Sequence, residues 1–257
     1  MNLIDALKVE QLTVSYDKTP VLWDITFSVP QGELVGIIGP NGAGKSTFLK
    51  SILGFVPSVA GRATLLGDAL KSVRQKVAYV PQRESVDWDF PITVKELVLM
   101  GRYGRLKWFQ RPRQADYKAV DYYLELVGLH QFKDRQISEL SGGQQQRAFL
   151  ARALIQEAEL YFFDEPFAGI DAATEAVMVQ QLKKLVKEGK TVFVVHHDLN
   201  SVSTFFSWVI LLNLRLVASG KTEQTFTAEN LRTAYGKNYQ LLDEASKIAF
   251  RKFGGAS

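Results

Sequence analysis

Leu12, Val14 and Tyr16 lie on one side of an alternating stretch, and Asp17-Lys18-Thr19-Pro20 supplies turn residues. Residues 21–29 then resume an extended pattern, so the first thirty positions predict an antiparallel hairpin. After Gln31-Gly32-Glu33 the run Leu34-Val35-Gly36-Ile37-Ile38 is apolar without alternation, the mark of a strand covered on both faces. Residues 39–44 break the pattern as a loop, and residues 45–53 read as a helix. Short strand patterns follow at 63–66 and 77–80. From 93 to 127 the period is helical: Val94, Leu97, Val98 and Gly101, then Val120, Tyr123, Leu124 and Val127, with Gly128 as the C-terminal stop. Residues 85–140 therefore read as a helical insertion. Leu160-Tyr161-Phe162-Phe163 is a second fully apolar strand and residues 192–195 are a third. Between them Asp171 is placed to cap a helix with the face Met178, Leu182, Leu185 and Val186. Lys183, Lys184 and Lys187 fall near the end of that helix, where its dipole favours cations, and Gly189 follows. Strands alternating with helices predict an α/β domain with a mostly parallel sheet. Residues 221–257 carry two weak helical patterns and no chemical motif. Ala245, Ile248 and Ala249 there, with Lys247, Arg251 and Lys252 opposite, read as an ordinary packed helix rather than a membrane anchor.

Composition narrows the chemistry. The 257 residues hold 31 Lys and Arg against 27 Asp and Glu, a net charge of +4, too mild to demand a nucleic-acid partner. With 46% hydrophobic and 23% charged residues the chain has a globular balance, and its length allows one large domain or two small ones. There is no cysteine, which excludes disulfides, thiolate metal sites and thiol nucleophiles, and three histidines are few for a histidine metal site. No apolar run approaches the ~18 residues that span a bilayer, and the first residues show no secretory pattern. The expectation is a cytosolic protein.

Gly39-Pro40-Asn41-Gly42-Ala43-Gly44-Lys45-Ser46-Thr47 fits G-x-x-x-x-G-K-[ST] between a buried strand and a helix. The glycines let backbone N–H groups turn in around phosphate oxygens, and the helix N-terminus adds positive potential. Lys45 is placed to reach the β- and γ-phosphates and the Ser46 hydroxyl to ligate Mg²⁺. Asp164-Glu165 directly follows the second buried strand, where one carboxylate orders the metal and the next polarises an attacking water. Leu140-Ser141-Gly142-Gly143-Gln144 opens an amphipathic helix read as 144–156, a second phosphate-facing helix start. Two such starts in one chain point to a dimer that shares nucleotides between opposite sites. His197 closes the third buried strand, within reach of a γ-phosphate, while His196 beside it diverges, which argues against a paired metal site.

On these motifs the chain resembles the ATP-binding-cassette ATPases over residues ~7 to ~220. The phosphate loop, Leu140-Ser141-Gly142-Gly143-Gln144 and Phe163-Asp164-Glu165-Pro166 stand in the family's order, with Ser141 96 residues after Lys45. The resemblance implies a P-loop, RecA-like α/β core with a mainly parallel sheet, an N-terminal antiparallel β part and an inserted helical subdomain. It assigns residues 1–84 and 150–220 to the nucleotide-binding core, 85–149 to the helical subdomain with the signature, and 221–257 to a C-terminal helical extension. It also assigns roles. Tyr16 is similar to the aromatic that stacks on adenine, a core tyrosine being the other reading. Gln82, in Val80-Pro81-Gln82, is similar to the glutamine that senses Mg²⁺ and the γ-phosphate. Glu165 matches the catalytic base and His197 the switch histidine, while Ser46, Gln82 and Asp164 would hold Mg²⁺. Ser141, Gly142, Gly143, Gln144 and Asp171 would act in trans, across a head-to-tail homodimer binding ATP. Gly169-Ile170 departs from the usual Ala-Leu before that aspartate.

A narrower resemblance lies in Val80-Pro81-Gln82-Arg83, in residues 86–94 and 100–104, in Phe167-Ala168-Gly169-Ile170-Asp171 and in Val195-His196-His197-Asp198. These segments are similar to ATPase subunits of bacterial importers for manganese, zinc or iron. The branch implies an integral membrane permease as partner, through it an extracytoplasmic metal-binding protein, and a peripheral place on the cytoplasmic face of the membrane, with no nucleic acid. Asp87, Trp88 and Phe90 are candidate permease contacts, Trp88 and Phe90 having packing inside the helical subdomain as the other reading. Residues 101–118, with Arg102, Arg105, Lys107, Arg111, Arg113 and Lys118, read as a solvated loop or one facing acidic neighbours rather than an RNA or lipid site. The competing functions are a soluble cassette acting on ribosomes or DNA and a non-hydrolysing regulatory module. The single cassette without heptads disfavours the first, and Glu165 with His197 disfavours the second.

Overall fold

The computed structural model describes residues 4–16, 19–106 and 109–236. The turn residues Asp17 and Lys18, Lys107 and Trp108 of the basic stretch, and the 245–252 helical face lie outside the described residues. The chain reads β1 (Leu7–Tyr16), β2 (Thr19–Val29), β3 (Leu34–Ile38), α1 (Lys45–Ile52), β4 (Ala60–Leu65), α2 (Leu70–Val73) and β5 (Val77–Val80). It continues as α3 (Val94–Leu99), α4 (Gln114–Leu126), α5 (Gly142–Leu154), β6 (Leu160–Asp164), α6 (Ala172–Lys187) and β7 (Thr191–Val195). It closes with α7 (Val202–Phe205), β8 (Trp208–Asn213), β9 (Arg215–Lys221), α8 (Thr222–Thr225) and α9 (Ala228–Tyr235). The strand order is β2-β1-β4 in a three-stranded sheet and β5-β6-β7-β3-β8-β9 in a six-stranded one. Two compact units divide the chain, one from the segment up to Lys8, Val29–Val35 and Thr64–His196, the other from Val9–Ser28, Gly36–Ala63 and the chain from His197.

In the first unit β5, β6 and β7 run parallel, with Val80 opposite Phe163 and Asp164 opposite Val195. Every residue of β6 and β7 is buried, which is why their sequences do not alternate. The Phe162 and Phe193 partners stack 4.7 Å apart at 9°, joining the strands by ring contact as well as by backbone. The predicted helix after Asp171 is α6, and its face Met178, Leu182 and Leu185 is buried. The helical stretch predicted from 93 to 127 is interrupted. After α3 the chain tightens to a 3₁₀ segment at Met100–Arg105, and Gly128 at φ 66° ends α4. Gly101 explains the close turn there, since a Cβ would lie 2.4 Å from the Arg152 carbonyl oxygen. The helix predicted over 144–156 begins earlier, at Gly142, because Ser141 and Gln144 form a capping box across the first turn.

In the second unit the alternation of β1 and β2 shifts phase. Leu12 and Val14 are buried after Val9, and Ile25 after Leu22, because Gln11 and Asp24 each take φ 51° and insert one residue. Each inserted amide is satisfied by a threonine hydroxyl: Gln11 N donates to Thr26 Oγ1 at 2.9 Å and Asp24 N to Thr13 Oγ1 at 3.1 Å. The turn is correspondingly shorter than expected, since Thr19 and Pro20 already belong to β2. β4 starts three residues before the predicted strand. The hairpin of β8 and β9, antiparallel with Leu211 opposite Ala218, closes this unit. No helix among the described residues is long and apolar enough to cross a membrane.

Candidate active site

In open α/β sheets, ligands collect at the carboxyl ends of the strands; in the second unit the loop from Gly39 follows β3, and in the first unit Gln82 and Glu165 follow β5 and β6. The loop from Gly39 to Gly44 joins β3 to α1, with Gly42 at φ 79° and Gly44 at φ 89°. A side chain at Gly44 would meet Leu22 and the Val21 carbonyl at 2.6 and 2.9 Å, so close packing as well as φ requires glycine. Lys45 is only 6% exposed, and its Nζ donates to the Gly39 and Pro40 carbonyls at 2.8 and 3.0 Å. The ammonium is thus folded back over its own loop. Ser46 and Thr47 are half-buried on the first turn of α1. The loop is braced from β8, because Leu214 N donates to the Ala43 carbonyl at 3.1 Å and a Cβ at Gly39 would lie 2.1 Å from the Leu212 oxygen. That brace is absent from the motif. Its only sequence trace is the apolar run 208–212.

The parallel register pairs Val80 with Phe163, so two residues further on Gln82 stands beside Glu165. The amide of Gln82 donates to Glu165 Oε2 at 3.4 Å. Glu165 holds φ 51°, a left-handed backbone that non-glycine residues seldom adopt, immediately after the strand. Asp164 is 1% exposed, and its charge together with burial pushes the Tyr79 phenol up to about 12, burial being the larger cause. His196 is buried edge-on against Phe167 at 5.6 Å, whereas His197 is exposed, so the two histidines diverge as expected.

Ser141 caps α5, its hydroxyl accepting from Gln144 N at 3.4 Å while its own N–H donates to Gln144 Oε1 at 2.9 Å. Gly143 lies against α6: a Cβ there would sit 3.2 Å from Thr174 Oγ1 and 3.7 Å from Asp171 Oδ2. Asp171 caps α6 through Thr174 N at 2.9 Å and takes a second bond from the Thr174 hydroxyl. These bonds hold its carboxyl below the usual carboxylate range, the backbone one foremost. Thr174 and Arg83, both in contact with the predicted signature residues, were not legible as site residues because nothing in their spacing marks them.

The other predicted surfaces resolve individually. Tyr16 is 47% exposed, so the core reading of this tyrosine does not hold. Trp88 packs edge-on against Phe149 at 5.2 Å with its indole N–H on the Arg83 carbonyl, the inward alternative, while Phe90 is 57% exposed. In the basic stretch Arg105 pairs with Glu157 at 2.6 Å and Arg102 with Asp116 at 3.1 Å, so these cations do face acidic neighbours. A cavity of about 190 Å³ beside Tyr123, Tyr161 and Leu185 contains none of the predicted site residues.

In the second unit a glycine loop after a buried strand, with a lysine turned onto it, is the arrangement of a P-loop nucleotide-binding protein, and in the first unit a buried strand ends in paired acids. A family model described as ABC transporter matches residues 22–168. The chain is 53% identical over 238 residues to the manganese transport system ATP-binding protein MntB of Bacillus subtilis (strain 168), covering 93% of this chain and 95% of that protein. It is 53% identical over 231 residues to the zinc transport system ATP-binding protein TroB of Treponema pallidum (strain Nichols), covering 90% and 87%. A solved metal-chelate type ABC transporter in an inward-facing conformation superposes with a TM-score of 0.79 at 29% identity, over 90% of this chain and 89% of that one. The chain belongs to the ABC transporter family, as an ATP-binding, transport-coupled ATPase.

Proposed function

We propose that this chain powers a metal-ion importer, with manganese as the first candidate and zinc or iron as alternatives, by closing and opening as a head-to-tail homodimer on a membrane permease. The carrying observation is the 53% identity, over nearly the whole chain, to ATP-binding proteins of manganese and zinc transport systems. A soluble cassette acting on ribosomes or DNA is not favoured by these relatives. The transported ion is cargo of the permease, delivered by an extracytoplasmic metal-binding protein, and the ATPase sits peripherally on the cytoplasmic face. Residues 1–84 and 150–220 form the nucleotide core in this reading, 85–149 the helical part with the signature, and 221–257 the extension.

In this reading the backbone N–H groups of residues 39–47 and the Lys45 ammonium hold the phosphates, and exposed Tyr16 offers its ring to adenine. Glu165 takes the proton of the attacking water, Gln82 fixes the carboxylate that takes it, and His197 steadies the γ-phosphate. Ser141, Gly142, Gly143 and Gln144 of the second copy complete the phosphate shell, and Asp171 relays between copies. Catalysis is then mainly positioning and charge stabilisation of in-line attack. The residues present fit Mg²⁺: the Ser46 hydroxyl, the Gln82 amide oxygen and the buried Asp164 carboxyl are hard oxygen donors. When bound, the ion would neutralise the charge of the β- and γ-phosphates. The test is co-purification of the tagged chain from membranes in mild detergent, followed by ATP-driven uptake of manganese, zinc or iron by the reconstituted complex. A multi-span permease in roughly equal amount with uptake of one of these ions supports the reading. Ribosomal or DNA-associated partners without an integral membrane protein overturn it.

A further inference from the structure

Gln82 and the first turn of α5 are joined by a side chain to which no role has yet been given. Arg83 follows Gln82 and sends its guanidinium to Gln145, with Nε at 3.2 Å and Nη2 at 3.0 Å from the same amide oxygen. Gln145 is 5% exposed, and its amide nitrogen donates to the Ile137 carbonyl at 3.1 Å, so the acceptor is fixed in orientation. The guanidinium also covers Gly142: a Cβ there would lie 3.2 Å from Cζ and from Nη1. A larger residue at 142 would push the fork off its acceptor. The backbone oxygen of Arg83 takes the Trp88 indole N–H at 2.9 Å, and Trp88 packs on Phe149 of α5. The segment 82–88 is therefore tied to α5 twice, at its first turn through Arg83 and about one turn further along through Trp88.

We propose that Arg83 is a positioning residue that makes the side chain facing Glu165 and the turn Ser141-Gly142-Gly143 move as one body. Nucleotide sensed at Gln82 then sets where this chain presents its signature turn. A planar fork suits the task, because two donors to one buried oxygen fix direction as well as distance, which a lysine does not. The inference rests on the reading of Gln82 and Glu165 as the hydrolytic pair.

The test is hydrogen exchange of the full-length chain with and without ATP and Mg²⁺, read at peptides covering 82–88 and 141–146, together with steady-state ATP turnover. In the wild type ATP changes exchange in both peptides. In Arg83→Met and in Gln145→Leu the response at 82–88 remains and that at 141–146 is lost. Turnover falls about tenfold or more while KM for ATP stays within about twofold, and the double variant falls no further than either single one. Arg83→Lys keeps the charge and a single donor and restores part of the response at 141–146, which covers the case in which a truncated variant fails to fold. A wild-type response at 141–146 in folded Arg83→Met, a response in folded Arg83→Lys no greater than in Arg83→Met, or additive losses of turnover in the double variant, overturn the proposal. Absence of any ATP response at 82–88 in the wild type instead overturns the hydrolytic reading of Gln82 on which it stands.

Discussion

Glu165 combines two properties that one substitution series separates. Its backbone sits at φ 51° and its carboxylate receives one long hydrogen bond of 3.4 Å from Gln82. Holding an L-residue in the left-handed region costs roughly 1–2 kcal/mol, and glycine removes that cost while losing about 0.5–1 kcal/mol of extra freedom on folding. The long bond contributes about 0.5 kcal/mol at most. Glu165→Gly should therefore shift stability by between a loss of about 0.5 kcal/mol and a gain of about 1.5 kcal/mol, a Tm from about 2 °C below to about 6 °C above the wild type at this size. The same replacement at Glu175, inside α6, should cost about 1 kcal/mol or more. Glu165→Gln keeps shape and backbone but removes the base, so phosphate release should fall about 100- to 10,000-fold with ATP binding nearly unchanged. Thermal scans and a phosphate-release assay on purified protein measure both. Turnover within tenfold of wild type in Glu165→Gln, or a Glu165→Gly variant less stable than Glu175→Gly, would refute the reasoning that strain and base coincide here.

Lys45→Met removes a charged donor from the phosphate loop. ATP affinity should drop about 10- to 100-fold, the weight of one hydrogen bond to a charged group, as calorimetric titration would show. Gly39→Ala places a Cβ 2.1 Å from the Leu212 oxygen. Shifting β8 to relieve this should cost about 1–3 kcal/mol, visible as a lower denaturant midpoint. Thr93→Ala removes the hydroxyl that accepts from Glu96 N at 3.4 Å and donates to Glu96 Oε2 at 2.6 Å in the capping box of α3, for a loss of about 1 kcal/mol. The Asp171 carboxyl, held low mainly by the Thr174 amide, contributes stability that is present above its unfolded pKa near about 4 and is lost as pH falls through its lower folded value. Asp171→Asn, which retains a capping oxygen, should flatten the acid limb of a stability–pH curve between the unfolded value of about 4 and the lower folded value. An unchanged acid limb would contradict the assignment.

Elements whose signal is local were legible in the chain. Strands written as unbroken apolar runs announce themselves, so β3, β6 and β7, buried throughout, and the half-buried β5 fall within a residue of their predicted bounds. The phosphate loop, Asp164-Glu165 and the capping aspartate of α6 depend on residues adjacent in sequence. Other features could not be read that way. The phase shifts at Gln11 and Asp24 need a threonine from the neighbouring strand to satisfy each inserted amide. The bracing of Gly39 and Ala43 by Leu212 and Leu214 joins positions some 170 residues apart. The pairing of Gln82 with Glu165 follows from the register of two parallel strands separated by the whole helical stretch, and the grip of Arg83 on Gln145 spans the same stretch. Sequence by itself determined which residues bring phosphate-binding and hydrolytic chemistry, because φ preference, charge and acidity belong to single residues and short motifs. Tertiary structure alone decided which of them meet and what holds them there, because hydrogen bonds and close backbone contacts act over a few ångströms and carry no imprint in the intervening chain.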